Sequence, residues 1–364
     1  MHGPQPPLHA GEALALARVP REPRERRPIA LIGCGGIARH HLSAYRKAGY
    51  VVTALCDQHV DRAEACRIAF YPNAQVFEGA EALLASSDAE VVDITTHPAD
   101  RAAPIEAALR AGRHVLSQKP FVLDLDLGDR LAALADERRR VLAVNQNGRW
   151  APHFAYLRRA VAGGHVGTVS SVDFSLQFDH NWTADTPFEA VRHLILFDFA
   201  SHWWDLLLQL MGEHRPESVS AAVRRSPAQR TRPPLLAHAI VDFPEALATL
   251  SFNGDTRHGP RDRTTIVGSD GTIVSEGPDY DEQRVRLTRG DGALEPLLVG
   301  AWFDDGFHGA MAELLCALED ERRPSHDARD AMRGLELCFA AVASADRGGL
   351  PVVPGSVRRL PDAA

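Results

Sequence analysis

Cysteine is scarce in this chain. There are five in 364 residues (Cys34, Cys56, Cys66, Cys316 and Cys338), odd in number, widely scattered and without a C-x-x-C pair. That spacing excludes a disulfide framework, speaks against a zinc site and fits a reducing cytoplasm. Positive charge is not in excess either: 40 Lys and Arg stand against 48 Asp and Glu, a formal net charge of −8 with a pI near 6.1. No nucleic-acid partner is expected from such a balance. No apolar run approaches the roughly 20 residues that span a bilayer, so no membrane partner is expected. The histidines show no ligand spacing, and the adjacent His40 and His41 diverge around a helix, so no metal is expected. Internal repeats are absent.

What is present is the composition of an ordinary globular protein, 45% hydrophobic and 24% charged. The length exceeds what one core usually supports, so two domains are expected. Residues 1–27 are rich in proline and arginine and show no periodicity, the signature of a disordered tail. The run Arg24-Glu25-Arg26-Arg27 before an apolar stretch has the outline of a twin-arginine export signal. That stretch contains three glycines and ends in a specific turn motif, however, so it reads as a first strand.

Over 28–147, short apolar strands (29–32, 51–56, 91–95, 114–117 and 141–144) alternate with helical stretches at 80–85, 101–111 and 129–139. Near-continuous apolar strands suit burial on both faces, and strict alternation means a doubly wound parallel sheet of the Rossmann kind. From 148 to 355 the character changes. A helix at 151–162 is followed by Val172, Phe174, Leu176 and Phe178 at a period of two, then by further strands between 219 and 287, with Asp270-Gly271 as a hairpin signal. Two helices, near 307–318 and 328–347, close the chain. The second domain is therefore expected to be α+β, a mainly antiparallel sheet with helices on one face.

Gly33-Cys34-Gly35-Gly36-Ile37-Ala38 is a G-x-G-x-x-A motif placed directly after an apolar strand and at the start of a helix. Gly33 makes the tight turn, Gly35 and Gly36 let backbone approach a pyrophosphate, and Ala38 lets helix and sheet pack closely. Ile37 lies in the first helical turn, whose N–H groups and dipole favour an anion. Asp57 ends the next strand, where a carboxylate can hold ribose hydroxyls and repel a 2′-phosphate. NAD is therefore the expected cofactor. His59 and Arg62 soften the preference, leaving NADP possible, and a flavin or a methyl-donor nucleoside could use the same turn.

Four further segments carry a resemblance. Thr96-His97-Pro98 follows the fourth strand, Gln118-Lys119-Pro120 follows the fifth, Asn147-Gly148-Arg149-Trp150 opens the second domain, and Asp198-Phe199-Ala200-Ser201-His202 begins a helix. Together with the glycine motif, and in this order, they make the chain after its tail resemble the Gfo/Idh/MocA oxidoreductases. The resemblance implies a dehydrogenase acting on a sugar, polyol or related hydroxy compound, an open-faced sheet in the second domain, and a homodimer or homotetramer built on that sheet. It puts the family's catalytic lysine on Lys119 and its acid–base pair on Asp198 and His202, with Thr96, His97, Gln118, Lys119 and Asn147 beside the cofactor. Three positions depart from the family's pattern. Gln118 replaces a glutamate, His193-Leu194-Ile195 replace glycines, and Arg101 stands where a histidine is frequent.

The residues suit that chemistry. Oxidising a secondary alcohol needs a base at its hydroxyl and gains from a cation near the oxygen. Lys119 follows a strand at the carboxyl edge of the sheet, where doubly wound folds bind ligands. Asp198 and His202 share a helix face, so the imidazole can take the proton while the carboxylate orients it. Ser201, His202 and Asp205 make no triad, because adjacent Ser201 and His202 diverge. Arg149, Trp150 and Trp182 are expected to line the substrate cleft, a guanidinium and flat indoles suiting a polyhydroxylated ligand. Two alternatives stay open: a glycosidase using tightly held NAD for transient oxidation, and a sugar-sensing protein that lost catalysis.

Overall fold

The computed structural model describes residues 21–360, which form two compact units. One unit comprises 21–150 together with 301–332. The border expected near 147 is the first of three crossings, because a later segment returns to this unit and leaves it again. Its sheet has six parallel strands: β1 (Ile29–Ile32), β2 (Val52–Cys56), β3 (Gln75–Phe77), β4 (Val91–Ile94), β5 (His114–Gln118) and β6 (Leu142–Asn145). Their order is β3-β2-β1-β4-β5-β6, reversing direction at β1/β4. Ligands of doubly wound sheets bind at such a reversal. The strands β1, β4 and β6 are buried throughout, as their near-continuous apolar runs require, with Asp93 in β4 and Asn145 in β6 hydrogen-bonded inside.

The helices of this unit are α1 (Gly36–Ala48), α2 (Val60–Phe70), α3 (Ala80–Ser86), α4 (Ala102–Arg110), α5 (Leu125–Glu137) and α8 (Trp302–Glu319). Local signals set their ends. Gly49, left-handed at φ 74°, closes α1, with its N–H and that of Tyr50 returning to carbonyls of the last turn. Asp124 caps α5 by accepting from the N–H groups of Asp126 and Leu127. The apolar face of α8 (Met311, Leu314, Leu315) shares one core with Leu31, Leu42, Tyr45 and Leu116.

The expected tail divides at residue 20. Residues 1–20 lie outside those described, whereas 21–27 are docked on α8. Arg21 and Arg24 donate to Glu319 at 2.9 and 3.2 Å, and the Glu25 N–H reaches the same carboxylate at 2.7 Å. An arginine-rich stretch reads as a solvated tail only until a paired carboxylate appears far along the chain.

The second unit comprises 151–300 and 333–360. It holds α6 (Pro152–Ala162), α7 (Ser201–Met211) and most of α9 (Ala328–Asp346). Its eight-stranded sheet is made of β7 (Val169–Gln177), β8 (Ser218–Arg224), β9 (Leu236–Phe243), β10 (Ala246–Asn253), β11 (Arg261–Gly268), β12 (Gly271–Gly277), β13 (Arg284–Arg289) and β14 (Gly292–Leu294). The order is β14-β13-β12-β11-β7-β10-β9-β8, antiparallel except for β7 with β10. Strict alternation, clearest in β9 and β13, buries one face and leaves the other open.

Candidate active site

The turn after β1 is shaped by one glycine and opened by two others. Gly33 has φ +98°, and a Cβ there would meet the Thr96 backbone nitrogen at 2.9 Å. At Gly35 and Gly36 a Cβ would meet nothing within 4 Å. The following helix has no side-chain cap and no acidic residue in its first turn. Its leading N–H groups and positive dipole end are therefore left for an external anion.

Asp57 is buried, and its carboxylate is stapled to this turn. One oxygen accepts from the Cys34 N–H at 2.7 Å and the other from the His59 N–H at 2.8 Å. The Cys34 thiol reaches the Cys56 carbonyl at 3.7 Å, and its contact with Cys66 together with burial holds it well above the usual thiol range. On the other side, the Thr95 hydroxyl donates to the Gly33 carbonyl. The Thr96 hydroxyl is buried with no hydrogen-bond partner among the described residues. His97 is exposed at the head of a short helical turn.

The loop after β5 carries Lys119, which is partly buried and precedes a cis peptide bond to Pro120. The Gln118 side-chain oxygen accepts from the Lys119 N–H at 2.9 Å. Arg101, 2% exposed, donates into this loop and to Thr96. Thr95 and Arg101 are contributors that the motifs did not single out for these contacts. Their partners are backbone carbonyls, which have no signature in a sequence.

Two expectations in this unit are corrected. Arg149 has no exposed side-chain surface; it donates to the Ser325 carbonyl at 2.5 Å and pairs with Asp330. Trp150 is buried edge-on against His326 and packs over Gly309, where a Cβ would come within 2.2 Å of the indole. Both are committed to packing, and neither presents a face to a substrate. Asn147 is buried too, its side-chain oxygen accepting from the Trp302 indole N–H at 2.7 Å.

In the second unit, Asp198 does not begin an ordinary helix. It lies in a π-turn, Ile195–Phe199, closed by Ala200 N–H to Ile195 O at 2.8 Å, and α7 starts at Ser201. Side-chain donors from α7 take two carbonyls of this wider turn. The Trp204 indole N–H donates to the Leu196 carbonyl at 2.9 Å, and the Ser201 hydroxyl to the Asp198 carbonyl at 2.6 Å. Upstream, His193 and Arg192 both hold Asp346 at 2.7 Å, keeping its carboxyl below the usual range despite burial. The bulky residues replacing glycines thus anchor the segment. Asp198 and His202 are each partly buried, within one turn of each other, and π-turns recur at functional sites.

Trp182 is 54% exposed and sits edge-on to Phe188 and Phe199, the residue after Asp198. An exposed aromatic face thus stands beside the segment that carries Asp198. Burial depresses His180, whose ring lies against Phe199, to about 4 and His153 on α6 to about 3, leaving both too weakly basic to take an alcohol proton at neutral pH.

Sequence comparison decides the family. The profile of an oxidoreductase family with an NAD-binding Rossmann fold matches residues 27–146, and that of the GFO/IDH/MocA C-terminal domain matches 154–274. The chain belongs to the Gfo/Idh/MocA oxidoreductases. It is similar to the D-apiose dehydrogenase of Paraburkholderia graminis, 32% identical over 343 residues that cover 88% of each chain. It is also similar to the inositol 2-dehydrogenase of Rhizobium meliloti, 24% identical over 86% of this chain and 95% of the relative. An Agrobacterium radiobacter oxidoreductase crystallised with NAD+, L-tartaric acid and magnesium shares the fold. Its TM-score is 0.81 at 23% identity, covering 91% of this chain and 99% of that one.

The residues present fit the dinucleotide of a Gfo/Idh/MocA oxidoreductase. The glycine turn is open where two side chains would stand, the helix start lacks a cap, and the Thr96 hydroxyl is an orphaned donor beside the turn. Asp57 keeps lone pairs for ribose hydroxyls after serving two backbone donors. No helix of the described residues is long and apolar enough to cross a membrane.

Proposed function

We propose that this oxidoreductase oxidises a secondary hydroxyl of a sugar or polyol with NAD as acceptor, with Lys119, Asp198 and His202 as its catalytic residues. The observation that carries this reading is the stapled Asp57 beside an open, uncapped glycine turn. It supplies a ribose anchor and an anion site on one element pair. The apiose and inositol dehydrogenases among its relatives support the substrate class.

NAD held at this turn would supply the acceptor for the hydride that leaves the carbinol carbon. The protein's own residues do the rest. The α1 N-terminus, with Gly35, Gly36 and Ile37, holds the pyrophosphate, and Ala38, fully buried, lets that helix lie close to the sheet. Thr96 and His97 border the cofactor after β4, and Gln118 does so at the end of β5. Lys119 donates to the substrate oxygen and stabilises its developing negative charge. His202 takes the hydroxyl proton, with Asp198 favouring the charged imidazole, a contribution of about 10²–10⁴-fold. Trp182 stacks on the apolar face of the ring.

The open sheet exposes Ile240 on β9 and Leu247 on the adjacent β10. We propose that this face builds the homodimer or homotetramer. The five free, buried thiols support a cytoplasmic setting.

Lys119→Ala and His202→Ala test the assignment. Each should lower kcat by at least about 10²-fold while NAD affinity stays within a few-fold. Near-native turnover in either variant would refute its role.

A further inference from the structure

We propose that Arg101 is a positioning residue for Lys119, its single guanidinium bracketing the lysine loop and tying that loop to the cofactor turn. The proposal rests on the reading of Lys119 as the group that contacts the substrate oxygen.

The contacts converge on one side chain. Arg101 stands at the start of α4 and is 2% exposed. Its Nη1 donates to the Gln118 carbonyl at 2.5 Å and also to the Pro120 carbonyl. Its Nε donates to the Thr96 carbonyl at 3.1 Å, and Nη2 donates to the same oxygen. Carbonyls on both sides of Lys119 are thus held by one planar group. The guanidinium carries its donors in a fixed fork, so the three carbonyls it touches are held at set positions relative to one another.

The root of the lysine is fixed by more than Arg101. Its N–H goes to the Gln118 side-chain oxygen at 2.9 Å, and the Gln118 carbonyl also accepts from Ser117 Oγ at 3.3 Å. The peptide entering Lys119 is therefore held at both its donor and its acceptor. This matters because the lysine stem beyond it is flexible. A stem with several rotors delivers its ammonium reproducibly only if its base is fixed.

The third carbonyl links the loop to the cofactor turn. Thr96 lies against Gly33, closely enough that a Cβ on the glycine would meet its nitrogen at 2.9 Å, and Thr95 donates to the Gly33 carbonyl. Contacts run from the glycine turn through Thr96 and Arg101 to the peptides around Lys119. A displacement of about 1 Å in such an arrangement costs on the order of 10²-fold in rate. It need not cost cofactor affinity, because none of the Arg101 contacts replaces Asp57 or the α1 N–H groups.

The test is steady-state kinetics on Arg101→Lys and Arg101→Ala beside Lys119→Ala. The probe is the most active compound from a panel of inositols and aldoses, and NAD affinity is measured separately by calorimetry. Lysine keeps the charge but cannot bridge three carbonyls. Arg101→Lys is expected to bind NAD within a few-fold of the parent and to lose on the order of 10²-fold in kcat with little change in KM. Arg101→Ala is expected to lose at least as much and to regain part of its kcat when guanidinium ion is added. Native kcat in Arg101→Lys would overturn the proposal. So would a loss of NAD affinity equal to the loss in kcat, or a failure of Arg101→Lys to fold, either of which assigns the guanidinium to holding the domain. If Lys119→Ala remains active, the underlying reading of the lysine fails. If Lys119→Ala is dead while Arg101→Lys is native, only the positioning role fails.

Discussion

Replacing Asp57 separates two jobs that its carboxylate performs. An ionised carboxylate offers about four lone-pair sites. Two are taken by the Cys34 and His59 N–H groups, at 2.7 and 2.8 Å, which leaves two for the ribose hydroxyls of NAD. Hydrogen bonds to a charged group contribute about 1.5–3 kcal/mol each. At the low end of that range, two of them amount to about 3 kcal/mol, or roughly 10²-fold in Kd. Asp57→Ala should therefore weaken NAD by about that factor. It should also lower Tm, because two N–H donors at the turn lose their acceptor, one of them buried. Asp57→Asn keeps one acceptor oxygen, so NAD should weaken by only about 10-fold. Neither variant repels a 2′-phosphate, and the preference for NAD over NADP should narrow in both. Calorimetric titration of both cofactors, with thermal melts alongside, reads all three quantities. If Asp57→Ala melts earlier yet keeps the parent's NAD-to-NADP ratio, the carboxylate is a turn staple only and the ribose role is refuted.

Gly33→Ala combines a left-handed backbone, which costs about 1–2 kcal/mol, with a Cβ at 2.9 Å from backbone nitrogen. NAD affinity should fall by at least about 10-fold, and a variant that binds normally would show the turn to be pliable. Asp262 on β11 tests pH dependence in the other unit. It is 1% exposed with one carboxylate oxygen unpartnered among the described residues, and burial, aided by Asp279, pushes its pKa up to about 8. Below its ordinary value of 3.8 it is neutral in both states and costs nothing. Between that value and about 8, the unfolded chain ionises while the folded chain resists, so stability falls as pH rises. Asp262→Asn should remove that loss. Melts should show a gain on the order of 4 kcal/mol at neutral pH that vanishes near pH 4, and a pH-independent gain would contradict the linkage.

Those elements that carry their own signal were legible. Strands β1, β4 and β6 are buried on both faces and read as apolar runs broken only by Asp93 and Asn145, and the alternation in β7 announces a half-open sheet. The edge strand β3 was not legible, since three partly exposed residues carry no pattern. The π-turn was hidden for a different reason. The sequence reads as an ordinary helix beginning at Asp198, and the indole of Trp204 that takes the Leu196 carbonyl acts only in the folded chain. Arg149 shows how chemistry without context misleads. Its guanidinium suits a polyhydroxylated ligand, yet its partners, Ser325 and Asp330, lie more than a hundred residues away in sequence. The docking of residues 21–27 on Glu319 was invisible for the same reason. Arg101 was noticed as a departure from a motif, but carbonyl partners leave no trace in a sequence.

The most direct test of the central claim is NADH formation, followed by its ultraviolet absorbance, from purified protein and NAD against a panel of sugars and polyols. The account predicts a signal with one class of compound, absent in Lys119→Ala. Silence across the panel, with NAD binding demonstrated in the same preparation, would contradict the dehydrogenase reading. It would point instead to transient oxidation within a glycoside-cleaving cycle, or to a sensor that no longer turns over.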